Sequence, residues 1–252
     1  MDSEVAKKIN SGKLSIGTWL TFPSTDIAEV LSEAGYEWIV VDLEHSAISI
    51  ANCPDLFRSI ELHGATPIAR LTNNDPNLIK RVLDAGAKGI IIPNIETKED
   101  VLAAIKATKY PPKGNRGVGL SRAQGYGNRF NEYVEWQESE IMVIVLIENI
   151  KAVNNIKSIL SINEITAYII GPYDLSASMG IPGKFKDKEF LEKISEIKKV
   201  AKEFNCPAGY HLVEPDLNEL KRLIKEKYSM IAFSVDFRML DTIAQSPFKG
   251  KI

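Results

Sequence analysis

Short runs of consecutive apolar residues, many of them β-branched, recur along the chain at roughly the 30-residue spacing of βα units. Segments such as IVVD, GIIIP, MVIVLIE and AYIIG are apolar on successive positions, which is typical of parallel strands buried on both faces. The runs predict eight strands, over residues 15–21, 38–44, 67–72, 89–95, 142–148, 167–174, 208–213 and 230–236.

The longer stretches between these runs show the periodicity of amphipathic helices. The clearest examples cover residues 26–34, 75–85, 98–108, 190–204 and 216–227. Eight βα units in 252 residues predict a closed (β/α)8 barrel, a TIM barrel, with residues 1–252 as a single catalytic domain. A doubly wound nucleotide-binding sheet is disfavoured, because no GxGxxG follows the first strand.

One irregular stretch, residues 110–132, interrupts this rhythm before the fifth strand. It is rich in glycine and arginine, and loops of this length are usually functional or interfacial. Plain packing is the alternative interpretation of this loop.

Composition and charge narrow the class of partner. The chain has 31 lysines and arginines against 33 aspartates and glutamates, so no overall field favours nucleic acid or a membrane surface. Cys53 and Cys206 form neither a disulfide framework nor a zinc ribbon. Because the sequence also lacks a signal-peptide pattern and a long apolar run, we expect a cytoplasmic protein that binds a small molecule.

Polar residues cluster where the predicted strands end. They are Asp42, Glu44, His45, Arg70, Glu148, Gly171, Tyr173, Asp174 and Asp236. In a (β/α)8 barrel the carboxyl ends of the strands converge on one mouth, which holds the catalytic residues. The sequence therefore predicts an acidic mouth that contains one arginine.

Two of these carboxylates suit a metal ion. Glu148 and Asp174 end adjacent predicted strands, about 5 Å apart in a sheet, and could hold Mg²⁺ or Mn²⁺ with water completing the coordination. The alternative is a carboxylate pair that caps the following helices. Zinc is disfavoured because His45, His63 and His211 fall at scattered places.

The other candidate residues suit proton transfer and anion binding. No lysine is predicted to point into the barrel, which disfavours a Schiff base and leaves charge stabilisation to a metal. Arg70 matches a planar carboxylate or enolate, although a salt bridge within the barrel is equally compatible with its position. His45 has the pKa range for proton transfer; Glu44 is its neighbour, and Asp42 could orient it.

The motifs at these positions resemble a known family. The segments WIVVDLEHSAIS, TPIARLTNND, GIIIPNIET, YPPKGNRGVG, LIEN and IIGPYDLSASMG occur in the order typical of the metal-dependent pyruvate aldolases, the HpcH/HpaI or 4-hydroxy-2-oxoheptanedioate aldolase family. The resemblance implies a barrel of the phosphoenolpyruvate/pyruvate type. It also implies an aldehyde-lyase that cleaves a 4-hydroxy-2-oxo acid to pyruvate and an aldehyde, or catalyses the reverse addition, with Mg²⁺ or Mn²⁺ and with Co²⁺ as a further candidate.

The resemblance also implies roles for individual residues. Glu148 and Asp174 correspond to the metal ligands, Arg70 to the clamp on the pyruvyl oxygens, and His45 to the acid-base residue, paired with Asp84. Backbone groups of Gly171, Tyr173 and Asp174 are implied in binding the pyruvate carboxylate, and Trp19 is implied in lining the pocket. Leu212 and Arg122 are implied in binding the substrate. The chain departs from the pattern at Leu146, where many members have glutamine, and at Asn94, Glu96, Tyr173 and the GYHLVEP segment.

Assembly follows from topology together with the resemblance. Asp84 ends a predicted helix and Arg122 belongs to the loop before the fifth strand, so both should lie on the far face of the barrel from their own mouth. We expect them to complete a neighbour's site in a homo-oligomer, for which the family suggests a hexamer or a trimer of dimers.

Two other functions stay open at this point. One is a related lyase acting on an acyl-coenzyme A or a phosphorylated three-carbon acid, which would require a basic rim. The other is a catalytically silent barrel subunit, which would be expected to have lost site residues.

Overall fold

The computed structural model describes residues 4–248 and contains a closed barrel of eight parallel strands in chain order. The strands are β1 (Ser15–Leu20), β2 (Trp38–Asp42), β3 (Thr66–Arg70), β4 (Gly89–Ile92), β5 (Met142–Ile147), β6 (Ala167–Ile170), β7 (Ala208–Leu212) and β8 (Met230–Val235). The predicted (β/α)8 barrel is confirmed. Each predicted strand extends one to four residues too far at its carboxyl end, because the polar residues there lie beyond the hydrogen-bonded ladder, in loops or in the first turn of the next helix.

Helices connect successive strands, and one further helix lies at each end of the barrel's sequence, before β1 and after β8. They are α1 (Glu4–Asn10), α2 (Thr25–Glu33), α3 (Cys53–Leu62), α4 (Pro76–Ala85), α5 (Lys98–Thr108), α6 (Phe130–Ser139), α7 (Ile150–Asn154), α8 (Ile156–Leu160), α9 (Pro172–Ser178), α10 (Lys188–Glu203), α11 (Leu217–Lys225) and α12 (Asp236–Ala244). The five helices predicted from periodicity are all present, within two residues at either end. Among the described residues, no helix is long and apolar enough to span a membrane.

The inside of the barrel is a packed apolar core that is closed at one end. Its side chains include Trp38, Ile144 and Leu146, and they pack with Val5 and Ile9 of α1. Since α1 precedes β1, it covers the amino-terminal opening of the barrel. The carboxyl-terminal opening is therefore the mouth that is left for a ligand.

The predicted irregular loop packs against the outside of the barrel. Its Arg116 side chain is fully buried, donates to Asp84 Oδ1 at 2.6 Å and to the Tyr133 hydroxyl at 2.9 Å, and lies over the rings of Tyr110 and Tyr133. The loop ends earlier than predicted, because α6 begins at Phe130. It is thus an ordered segment fastened to the end of α4.

Candidate active site

An ion pair between β2 and β3 forms one wall of the mouth. Asp42 and Arg70 are the last residues of their strands and are paired in register. Arg70 Nε donates to Asp42 Oδ1 at 2.8 Å, and Nη2 donates to Oδ2. The third nitrogen, Nη1, is 3.5 Å from Glu44 Oε2. The salt bridge weighed from the sequence is present, and one edge of the guanidinium still faces the mouth acids.

Asp42 also organises the loop that carries His45. Its Oδ1 accepts from the amides of Glu44, at 2.9 Å, and His45, at 3.2 Å. Burial raises the pKa of Asp42, but the hydrogen bond and charge of Arg70, together with these amides, outweigh it and leave that pKa below its ordinary value. Asp42 is therefore an ionised anchor that holds the backbone of His45, whose side chain is exposed at the rim.

Glu148 is the most perturbed acid of the mouth. It follows β5, is 7% exposed, and accepts a 2.7 Å hydrogen bond from the backbone N–H of Asn94 at Oε1. Burial raises its pKa to about 7, and the neighbouring charges of Glu44 and Asp174 act in the same direction. Asp174 itself is exposed in the first turn of α9.

The mouth holds more negative charge than Arg70 neutralises. Burial raises the pKa of Glu44 too, against the opposing charges of Arg70 and His45, and its buried Oε2 has no hydrogen-bond partner among the described residues. The one arginine that acts on Glu148 is already paired with Asp42. Hard carboxylate oxygens with a shortage of positive charge are a donor set that suits a divalent cation.

The protein would supply only part of a coordination shell. Within residues 4–248, no group of three or more histidine, cysteine, aspartate or glutamate side chains is arranged to hold a metal ion. Magnesium typically binds through one or two carboxylates and keeps the other positions for water and substrate oxygens. Glu148 and Asp174 fit that pattern, with open positions for a ligand.

Aromatic rings form the floor beneath Arg70. Its guanidinium lies 4.4 Å from the ring centre of Trp19, whose other neighbour is the ring of His211, stacked at 4.8 Å. His211 Nε2 is 3.4 Å from the Ser234 carbonyl oxygen. Burial, and to a smaller extent the positive charge of Arg70, lowers the pKa of His211 to about 3. This imidazole is therefore neutral at physiological pH.

Three other predicted residues divide between the mouth and the outside of the barrel. Gly171 lies beside Glu148, since a Cβ built on it would be 3.2 Å from Glu148 Cβ. Tyr173 is exposed at the rim, with its ring edge-on to Phe185. The side chain of Leu212 packs into the core outside the strands, because side chains alternate along β7 and His211 faces inward. Residue 212 can therefore meet a ligand in the mouth only through its backbone.

Asp84 and Arg122 lie together at the opposite end of the barrel. Asp84 accepts from Arg116, and Arg122 donates to Glu61 and, at 3.2 Å, to the Ala85 carbonyl at the end of α4. Within one chain neither residue meets the mouth, as the topology predicted. A pairing of Asp84 with His45 therefore stays a prediction that requires a second subunit.

Two charged residues next to strands have partners that account for them without a catalytic role. Lys88 precedes β4, at 3.2 Å from Glu61 and over the ring of Trp136, on the far side from the mouth. Asp236 accepts from the Thr21 amide and hydroxyl, at 2.7 and 2.6 Å, and from the Phe22 amide at 2.9 Å. Asp236 thus fixes the loop after β1.

The sequence analysis missed two contributors to the mouth. The Asn94 amide could have been found only as a turn signal after β4, and its direction toward Glu148 is a tertiary feature. His211 could have been found by applying strand alternation to GYHLV, in which the histidine and not the leucine shares the face of Gly209 and Val213.

The fold is a (β/α)8 barrel, and its acidic, arginine-containing mouth lies at the end where enzymes of this fold hold their catalytic residues. A profile of the HpcH/HpaI aldolase/citrate lyase family matches residues 15–241. The chain is 35% identical over 237 residues to a hydroxypyruvate/pyruvate aldolase of Sagittula stellata, covering 94% of this chain and 92% of that protein. It is 30% identical over 248 residues to a 4-hydroxy-2-oxo-heptane-1,7-dioate aldolase of Escherichia coli, covering 98% and 94%.

A solved structure agrees with these matches. An HpcH/HpaI aldolase/citrate lyase family protein from Burkholderia cenocepacia superposes with a TM-score of 0.92 at 26% identity, covering 97% of each chain. The chain belongs to the HpcH/HpaI aldolase/citrate lyase family. It is an enzyme, an aldolase of the aldehyde-lyase class, as the motifs predicted.

Proposed function

We propose that this enzyme cleaves a 4-hydroxy-2-oxo acid to pyruvate and an aldehyde, or catalyses the reverse addition, with a divalent cation as cofactor. The observation that carries the proposal is the convergence of Glu148, Glu44, Asp174 and Arg70 at one mouth. The relatives, which are named as aldolases of pyruvate, hydroxypyruvate or 4-hydroxy-2-oxo-heptane-1,7-dioate, support a small 2-oxo acid and an aldehyde as reactants.

The cation site would consist of Glu148 and Asp174, with Mg²⁺ or Mn²⁺ as the best candidates and Co²⁺ as a third. A bound divalent cation supplies Lewis acidity toward the 2-oxo group, which lowers the energy of the charge that develops on that oxygen. The two carboxylates would also fix where this charge forms, because they come from adjacent βα loops of a rigid barrel.

Arg70 would bind the anionic end of the substrate. Asp42 holds two of its nitrogens and Trp19 supports its plane, so the remaining N–H groups are oriented before substrate arrives. A guanidinium held in this way suits a carboxylate or an enolate oxygen, because both present oxygens in a plane. The backbone amides of Tyr173 and Asp174, which lie in the first turn of α9, would bind the substrate carboxylate, since first-turn amides have no acceptor within their helix.

His45 would move the proton. Its loop is held by Asp42, and its exposed side chain lies next in sequence to Glu44. As a base, directly or through water, it would take the proton from the 4-hydroxyl group while the bond between carbons three and four breaks. Its conjugate acid would then be available to protonate carbon three of the product.

The alternatives find less support. An acyl-coenzyme A or phosphorylated substrate would favour basic groups, whereas three of the four groups that converge at the mouth are acidic. A silent subunit would have no need of a buried carboxylate with a raised pKa beside an oriented arginine.

Metal removal tests the proposed function. Pyruvate release from a panel of 4-hydroxy-2-oxo acids is expected to fall to background after chelation and to return with Mg²⁺ or Mn²⁺. The measurement is a coupled assay for pyruvate, with calcium, a larger divalent cation that binds more flexibly, as the control addition. Turnover that resists chelation would remove the metal from the proposal, and absence of release from every substrate would remove the reaction.

Replacing His45 with alanine is expected to lower the cleavage rate by about 10²- to 10⁴-fold, the usual contribution of a general acid-base group. Because His45 is not a proposed metal ligand, Mn²⁺ should bind the variant as it binds the parent. Ser49→Ala, in the same loop, is the matched control. An active His45→Ala enzyme would exclude this residue from proton transfer.

The same variant also tests assembly. We propose that Asp84 and Arg122 of one subunit complete the mouth of another, in a homo-oligomer. An inactive His45→Ala protein mixed with an inactive Arg122→Ala protein should then regain part of the activity, because some mouths receive both native residues. Mixed oligomers that show no recovery would contradict sharing.

A further inference from the structure

The backbone adopts an uncommon conformation at Asn94, two residues beyond the end of β4. Its φ is 54°, in the left-handed region where asparagine is several-fold enriched among residues other than glycine. Pro93 and Ile95 on either side are buried, whereas Asn94 is exposed. Because both neighbours are buried and held in place, the backbone at Asn94 has little freedom. Its φ therefore determines the direction in which the Asn94 N–H points.

That N–H donates to Glu148 Oε1 at 2.7 Å. Among the hydrogen bonds of residues 4–248, it is the single one that the Glu148 carboxylate accepts. On the other side, a Cβ built on Gly171 would lie 3.6 Å from Glu148 Oε2, so the absence of a side chain there leaves room beside the second oxygen. One oxygen is fixed by an amide, and the other accepts no hydrogen bond from the residues that the structure describes.

We propose that Asn94 is a positioning residue for the cation site: its left-handed backbone holds Glu148 in one orientation and leaves the second carboxylate oxygen for the cation. The inference rests on the proposed function, because it takes Glu148 as a metal ligand. The part played by Asn94 is conformational, so it depends on which residues tolerate a positive φ and not on the chemistry of the amide side chain.

The test is a calorimetric titration of the metal-free protein with Mn²⁺ alone. Asn94→Val places a β-branched residue at a positive φ, which such residues adopt only as genuine outliers. Its Mn²⁺ dissociation constant should rise by about 10-fold or more, as is typical when a group that orients a metal ligand is lost. Asn94→Gly, which adopts a positive φ freely, should bind within about threefold of the parent.

Asn205 provides a matched control. It is also an exposed asparagine with a left-handed backbone, at φ 53°, but it follows α10 at the other end of the barrel. Asn205→Val should therefore carry a similar conformational cost and lose similar stability, with Mn²⁺ binding unchanged. A shift in metal affinity that is confined to position 94 separates positioning of Glu148 from general destabilisation.

The outcomes are distinct. Tight binding of Mn²⁺ that is equal in the parent and in Asn94→Val would overturn this inference and leave the proposed function standing. No binding by the parent would overturn both. If the valine variant does not fold, Asn94→Ala replaces it, with a smaller rise expected in the same direction and an unchanged constant counting against the inference.

Discussion

Replacing Glu148 with glutamine is expected to reduce metal-dependent turnover by about 10³-fold or more, equivalent to about 4 kcal/mol of transition-state stabilisation. Glutamine keeps an oxygen that can accept the Asn94 N–H but lacks the negative charge and the second acceptor oxygen that a divalent cation requires. Pyruvate formation at saturating Mg²⁺ or Mn²⁺ measures the loss. Glu37→Gln is the matched control, because Glu37 pairs with Lys8 at the closed end of the barrel; full activity in Glu148→Gln would contradict the metal assignment.

The same substitution should change how stability depends on pH. Burial raises the pKa of Glu148 from 4.5 to about 7, so its proton is held more tightly in the folded state than in the unfolded state. Without metal, the parent should therefore lose stability as pH rises from about 4.5 to 7, by about 3 kcal/mol at most. Denaturant unfolding at pH 5 and pH 8 in chelator should show a smaller loss in Glu148→Gln. Equal losses in the two proteins would exclude Glu148 as the cause.

The barrel could be predicted from the sequence because its signals are local. Consecutive apolar residues in GIIIP and MVIVLIE predict strands buried on both faces, and helical periodicity predicts what lies between them. Strand ends are harder to predict, because the segments that lead to Glu44 and Asp174 stay largely apolar after the backbone has left the ladder. The positions of both residues at the mouth were nevertheless predicted, since the end of the barrel at which they lie depends only on strand direction.

What the sequence could not provide are contacts between distant segments. The bonds of Asn94 to Glu148 and of Asp236 to Thr21 join residues separated by 54 and 215 positions. Nothing in either local pattern indicates the partner. His211 differs from these, because alternation along β7 would have identified its inward side chain.

Replacing Arg70 with lysine is expected to lower kcat/KM by about 10²- to 10³-fold, although the positive charge is kept, because lysine lacks the rigid fork of donors. Arg70 donates twice to Asp42 while its Nη1 lies 3.5 Å from Glu44 Oε2 and its plane lies over Trp19. A single ammonium cannot hold Asp42 by two parallel bonds and also present an oriented donor to substrate. Initial rates of pyruvate release over a range of substrate concentration measure the effect.

Lysine is the informative substitution because a neutral residue would confuse catalysis with folding. With a neutral side chain at position 70, the buried Asp42 carboxylate would stay unpaired, which typically costs about 3–5 kcal/mol of stability. Arg222→Lys is the matched control, since Arg222 also binds carboxylates, Glu219 and Glu226, but on the exposed face of α11. Because these two ion pairs are solvated and far from the mouth, the substitution should leave kcat/KM unchanged. Equal activity in Arg70→Lys and Arg222→Lys would mean that charge alone suffices at position 70, and the clamp assigned to its guanidinium would be wrong.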